Sequence, residues 1–430
     1  MICTRNILAG AMLALFALPV GALAKGGVTL LYDFTGAGGA LPSGTLIMDS
    51  GVTLYGTATY GGKKGCDQKQ THSCGAIFML APDGSETTLH LFSGGNDGAL
   101  PTGSLVRDSS GNLFGATGQG GSGNCGSHGC GAIFELTSAG KEKVLYAFTS
   151  GSDGQGPVGG VISDGAGNLY GTTTSGGGGA RCGDRGASGC GIVFKVTPNG
   201  KETVLHAFAG GSDGAYPAAA LIMDGSGNLY GTTGAGGSED MCGTAWDGCG
   251  TVFKIAADGT ESVLHAFAGG SDGAYPAAAL IMDGSGNLYG TTTAGGSTAN
   301  CGLGPNGCGT VFKIAANGTE SVLHVFAGGK DGAYPVAALV VDGAGDLFGE
   351  TGTGGGTGSC GISALPKKSG CGTVFKIAAN GNESVLYAFK GQKNNDGAYP
   401  ASGLSTDGAG NLYGVAAGCG GPDKCAGPLG

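Results

Sequence analysis

The chain has 430 residues, of which 98 are glycine and 14 proline, together about a quarter, a share that often marks low-complexity sequence. It lacks the strict Gly-X-Y period of collagen, and with 12% charged and 40% hydrophobic residues it is too apolar for a solvated, disordered chain. A net charge of −10 argues against nucleic acid or an anionic membrane as partner, and a single tryptophan excludes propellers that require one in every blade.

Residues 1–24 read as an export leader. Arg5 supplies the positive start, Ile7 to Leu18 an apolar stretch, and Ala22-Leu23-Ala24 a small-residue cleavage site. That site carries no cysteine for lipid attachment. No later stretch offers the roughly 20 uninterrupted apolar residues of a spanning helix. Residues 25–430 are therefore expected to form one secreted or periplasmic domain, monomeric and without a transmembrane segment.

From there a unit repeats. Leu-(Tyr/Phe)-Gly ends at Gly56, Gly115, Gly171, Gly231, Gly290, Gly349 and Gly414, with spacings of 59, 56, 60, 59, 59 and 65 residues. Leu-x-x-Phe ends at Phe34, Phe92, Phe148, Phe208, Phe267, Phe326 and Phe389. Cys-Gly-x-x-Phe recurs six times, at Phe78, Phe134, Phe194, Phe253, Phe312 and Phe375. Residues 204–233 and 263–292 are identical, so the array grew by duplication.

Each unit predicts four short strands. In residues 216–267 they are Tyr216–Asp224, Asn228–Thr233, Gly250–Ile255 and Ser262–Phe267. Units of this kind arranged around an axis give an all-β fold, a seven-bladed β-propeller of four-stranded blades; an open solenoid has shorter coils. Blades fall near 41–92, 100–148, 157–208, 216–267, 275–326 and 334–389, with 399–425 plus 28–34 as the last. The N-terminal strand thus closes the last blade. Its third strand is missing, because Ala-Gly-Pro-Leu-Gly430 follows Cys425 where Gly-x-x-Phe is expected. That blade has three strands, or the chain continues beyond.

Fourteen cysteines follow the leader as seven pairs: Cys66/Cys74, Cys125/Cys130, Cys182/Cys190, Cys242/Cys249, Cys301/Cys308, Cys360/Cys371 and Cys419/Cys425. One pair per unit, between the second and third strands, favours local disulfides in an exported chain. Zinc is the competing reading, since His72 and His128 lie within two of these loops, but a closed site needs four ligands. No cofactor is expected.

Connections from one unit to the next carry Asp-Gly-Ala-Tyr-Pro, with Asp213, Asp272, Asp331 and Asp396 beside Tyr216, Tyr275, Tyr334 and Tyr399. Asp97 and Asp153 head looser versions. In an antiparallel meander these connections share an end with the cysteine loops. The set is a candidate ligand platform, tyrosine faces stacking on sugars or aromatic groups and carboxylates accepting hydroxyl protons. The competing reading gives Asp and Gly to a turn and Tyr-Pro to packing between blades. Asp224-Gly-Ser-Gly-Asn228 and its equivalents lack the EF-hand pattern and read as hairpin turns.

His90, His206, His265 and His324 occupy one fourth-strand position where other units have Tyr32, Tyr146 and Tyr387, an exchange expected of packing with one hydrogen bond. No histidine stands beside an unrepeated Ser, Cys or acid, so no catalytic constellation is expected.

Gly-Asn-Leu-Tyr-Gly-Thr-Thr, Cys-Gly-Thr-Val-Phe-Lys-Ile and Val-Leu-His-Ala-Phe resemble the Gloeobacter/Verrucomicrobia (GloVer) repeat family over nearly all of residues 28–425. The resemblance implies a bacterial exported repeat array with interchangeable C-terminal anchors and no catalytic residues; no anchor follows Cys425 here. Looser similarity to streptogramin-lyase-like and NHL-type propellers implies blades. The expected function is a binding or cell-surface interaction module, for an extracellular polysaccharide or envelope protein. The alternatives are a propeller hydrolase or lyase acting on an extracellular polymer, and a purely structural envelope component.

Overall fold

The computed structural model describes residues 14–19, 27–34, 38–62, 66, 73–121, 123, 125, 128–178, 182, 189–237, 242, 248–298, 301, 306–356, 360, 370–391 and 396–418. They form an all-β propeller of four-stranded antiparallel units. Five units are separate sheets; two others join into one eight-stranded sheet through a parallel bridge between Gly160 and Ser104. Glycine makes that junction possible, since a Cβ on Gly103 would stand 2.0 Å from the Gly159 carbonyl carbon. Among the described residues no helix is long and apolar enough to cross a membrane.

The unit that follows Phe208 shows the pattern. Leu229–Ala235, Thr251–Ile255 and Glu261–Ala266 are its second, third and fourth strands. The expected continuous first strand is instead two pieces, Ala215–Pro217 and Ile222–Met223. Pro217 itself pairs with Thr233, and the ladder is interrupted after it, at Ala218-Ala219-Ala220-Leu221, resuming at Ile222. Units with glycine two residues after the equivalent proline, Gly44, Gly103 and Gly159, keep one long strand: Ala40–Met48, Ala99–Arg107 and Gln155–Ser163.

The third strand is buried except for one position, and the fourth, at the outer edge, is half-exposed. The core falls into clusters between neighbouring units. In one of them Phe208 packs with Leu221, Leu229 and Phe253 of the next unit, and the two phenyl rings meet edge to face at 5.1 Å. The same contact recurs from Phe34–Phe78 to Phe326–Phe375. Each unit thus buries its apolar face only against the next.

The last sheet differs from expectation. Thr29–Asp33 does join it, but Ala14–Pro19 lies between Thr29–Asp33 and Asn411–Gly418, pairing antiparallel with both. The third-strand place left without a Cys-Gly-x-x-Phe segment is taken by residues from the expected leader. The backbone of Asn411–Gly418 otherwise presents an open edge, and an extended segment satisfies it. The first unit meets this sheet through Thr45 Oγ1, which donates to the Ser402 carbonyl at 3.0 Å, and through Val415 in the core around Phe34 and Leu46.

Candidate functional site

Two local features aim the side chains at the end where one unit connects to the next. The fourth strand carries a β-bulge: Val252 pairs with His265 and Phe253 with Val263, so Leu264 is extra. The bulge recurs in the other units and re-aims the next side chain. A short 3-10 turn, Gly270–Asp272 after that strand, returns Asp272 towards it.

The result is a His–Asp pair. Nε2 of His90, His206, His265 and His324 lies 3.1, 3.0, 3.1 and 3.1 Å from Oδ1 of Asp97, Asp213, Asp272 and Asp331. The other oxygen, Oδ2, accepts from the backbone N–H of Ser93, Ala209, Ala268 or Ala327 at 2.6 Å. Burial alone raises the carboxyl pKa of Asp97, Asp213 and Asp272, but the bonds from histidine and backbone outweigh it and leave each below its ordinary value. Where tyrosine replaces histidine its hydroxyl donates to the same acid, Tyr146 to Asp153 at 2.9 Å and Tyr387 to Asp396 at 2.5 Å. Tyr32, whose unit has no such aspartate, donates to Glu86.

The tyrosines of Asp-Gly-Ala-Tyr-Pro do not converge on these acids. Tyr216 and Tyr275 donate their hydroxyls to the carbonyls of Cys182 and Cys242 in the preceding unit, each at 3.0 Å. The backbone N–H groups of Tyr216, Tyr275, Tyr334 and Tyr399 donate to Cys190, Cys249, Cys308 and Cys371. All four hold φ between +56 and +58°, a left-handed conformation that costs a non-glycine residue of order 1 kcal/mol or more. Each tyrosine therefore hooks a unit onto the cysteine loop before it.

Those loops are closed as expected. Cys66–Cys74, Cys125–Cys130, Cys182–Cys190, Cys242–Cys249, Cys301–Cys308 and Cys360–Cys371 are disulfides. Cys419 and Cys425 lie outside the described residues, as does His72.

Two groups of acids went unremarked in the sequence. One is the glutamate that opens the fourth strand, at Glu142, Glu202, Glu261, Glu320 and Glu383; its signal was its fixed place four residues before His or Tyr. Each faces the preceding unit's acid, and burial followed by repulsion from Asp97 or Asp153 pushes Glu142 and Glu202 up to about 7. The other is Glu350, fully buried where other units have Thr57, Thr172, Thr232 and Thr291. Its Oε2 accepts from Gly403 N–H at 3.1 Å, and burial pushes it up to about 8. It is an unrepeated acid whose partners are backbone N–H groups of Gly403 and Ser402 rather than a histidine.

At the hairpin turns the acids are consumed locally. Asp224 Oδ1 accepts from the N–H groups of Ser226 and Asn228, and Oδ2 from the Asn228 amide and the Tyr230 hydroxyl, with Gly227 at φ +82°. An open groove of about 540 Å³ lies nearby between the second and third units, bordered by Asp108, Phe114, Glu135 and Asp164.

No curated protein matches this sequence. Among solved structures, the extracellular domains of a one-component system and of a hybrid two-component system, both named BT4673 from B. thetaiotaomicron, superpose with TM-scores of 0.53 and 0.53 at 9% and 10% identity. The matches cover 88% and 90% of this chain but 38% of each of those, so this chain spans well under half their length. A gluconolactonase, XC5397 from Xanthomonas campestris, matches at TM-score 0.42 and 14% identity over 88% of this chain and 98% of its own. At these identities the likeness to the two extracellular domains concerns the fold alone. The Gloeobacter/Verrucomicrobia repeat profile matches residues 21–184 and 182–426, and the chain belongs to that repeat family.

Proposed function

We propose that this protein is an exported seven-bladed propeller that binds a polysaccharide or envelope protein through the end carrying the cysteine loops. The eight-stranded sheet then counts as two blades, and the contact of the first unit with the last sheet closes the ring. The carrying observation is divergence on a constant base. Residues 204–233 and 263–292 are identical, yet the loops that follow read Cys-Gly-Thr-Ala-Trp-Asp-Gly-Cys249 and Cys-Gly-Leu-Gly-Pro-Asn-Gly-Cys308. Variable loops on a rigid scaffold are where recognition resides in repeat proteins. The disulfides and tyrosine hooks supply the rigidity, and the first of these two loops holds the single tryptophan, Trp246. Asp97, Asp153, Asp213, Asp272, Asp331 and Asp396 line the base of the same end.

Disulfides in six units support an oxidising compartment, and the two superposable extracellular domains agree with an outward-facing role. The test is binding of purified protein to a panel of extracellular polysaccharides and envelope extracts. It compares the native chain with Tyr216→Ala, Tyr275→Ala, Tyr334→Ala and Tyr399→Ala, and with the 243–248 loop replaced by the 302–307 loop. Loss of binding in the loop exchange is the expected result. Binding unchanged in every variant places the contact elsewhere, and release of small products from a polymer identifies a hydrolase or lyase instead.

A further inference from the structure

The half-buried glutamates that open the fourth strands leave a set of acceptors that the fold itself does not satisfy. At four places a histidine nitrogen, an aspartate oxygen and a glutamate oxygen lie within 4.8 Å of one another: His90, Asp97 and Glu142; His206, Asp213 and Glu261; His265, Asp272 and Glu320; His324, Asp331 and Glu383. Each set straddles two units, the glutamate coming from the later one. In all four the glutamate Oε1 is shielded from solvent and has no hydrogen-bond partner among the described residues. The charges acting on Glu142 are Asp97 and His90, and those on Glu261 are His206 and Asp213, with no lysine or arginine among them. Two facing acids that share one shielded place, with no lysine or arginine beside them, form an arrangement that is costly to ionise there unless something compensates it.

We propose that these four His–Asp–Glu sets are sites for a divalent transition cation of the zinc class, one ion per set, each clamping two neighbouring units. One imidazole nitrogen and two carboxylate oxygens form a ligand group that suits zinc and its neighbours. For bonds of about 2.1 Å the ligand atoms must stand about 3.4 Å apart, so the histidine–aspartate pair opens slightly and the glutamate closes in, movements within reach of side chains on an outer strand and a short turn. Three protein ligands leave a position for water. Calcium, which takes six to eight oxygens, fits poorly.

The repeat contains its own control. Tyr146, Asp153 and Glu202 keep both acids, and Glu202 Oε1 is likewise buried without a partner. A phenol stands there in place of the imidazole, so the burial is the same and the nitrogen ligand is absent.

The experiment uses the tag-free, oxidised full chain, stripped with EDTA and titrated with Zn²⁺ by calorimetry and with Co²⁺ by visible absorption. Four ions per chain are expected. His265→Tyr, a residue the array itself uses at this position as Tyr32, Tyr146 and Tyr387, should lower the count to three. Tyr146→His should raise it to five. If one variant fails to fold, the other reads the same claim in the opposite direction. Absence of binding at about 0.1 mM metal, well above the dissociation constant of a micromolar site, overturns the proposal. So does a count that the folded variants leave unchanged, or an equal count with Ca²⁺.

Discussion

Gly231 lies across the ladder from Phe253, and a Cβ there would stand 2.6 Å from the tip of that ring. The glycine of Leu-Tyr-Gly and the phenylalanine of Cys-Gly-x-x-Phe are thus one device, the first clearing the space the second fills. Gly231→Ala should destabilise the protein by about 1–3 kcal/mol through overpacking, measured as a lower urea midpoint, whereas Gly225→Ala, with nothing within 4 Å of the added carbon, should leave it unchanged apart from local backbone preference. Glu350 acts through its proton. Its carboxyl titrates at about 8 when folded and near its ordinary value when unfolded. The folded state therefore favours the proton: full stability holds below about 4.5, declines as pH rises, and is lost through about 8. Glu350→Gln should accordingly gain on the native chain between pH 5 and 8, by an amount on the order of a few kcal/mol. An unfolding difference that does not vary with pH would show that the carboxylate is ionised in the fold. The recurring motifs were legible because duplication displays them many times. Glu350 was not, because nothing in the sequence says that its strand position is sealed.

At the scale of the element, the second, third and fourth strands followed directly from the sequence, because their apolar runs are bounded by Gly and Asn/Asp turns. The first strand did not, because its continuity past the proline goes with the close backbone approach of neighbouring inner strands that Gly44, Gly103 and Gly159 allow. Ala14–Pro19 shows the same limit more sharply. Its composition suits a leader and a buried strand equally, and only the open edges of Thr29–Asp33 and Asn411–Gly418 give it a place in the sheet. A chain beginning at Lys25 should therefore lose amide protection along both of those strands relative to the full chain, while Thr251–Ile255 keeps its own. Hydrogen exchange followed by mass spectrometry checks this. Equal protection in both chains would mean that Ala14–Pro19 contributes nothing to the sheet. N-terminal sequencing of the exported protein decides whether the leader is removed.

For the whole molecule, the period of about 59 residues was enough to predict a propeller, since each unit is too small to bury its apolar strands alone and must stack on its neighbours. Composition, cysteine pairing and turn chemistry are local properties, and they were readable from the chain. The His–Asp–Glu sets were not, although every member recurs at a fixed position. His265 and Asp272 are brought together by a bulge and a turn, and Glu320 reaches them from a unit 59 residues further on than Glu261. The sequence by itself determined the unit and its repetition and favoured the local pairing that six disulfides show, because these depend on short-range spacing. Tertiary structure alone decided which acids face one another, which tyrosine bears a strained backbone and which strand completes the last sheet. Those outcomes depend on the distance between neighbouring units, which no single unit encodes.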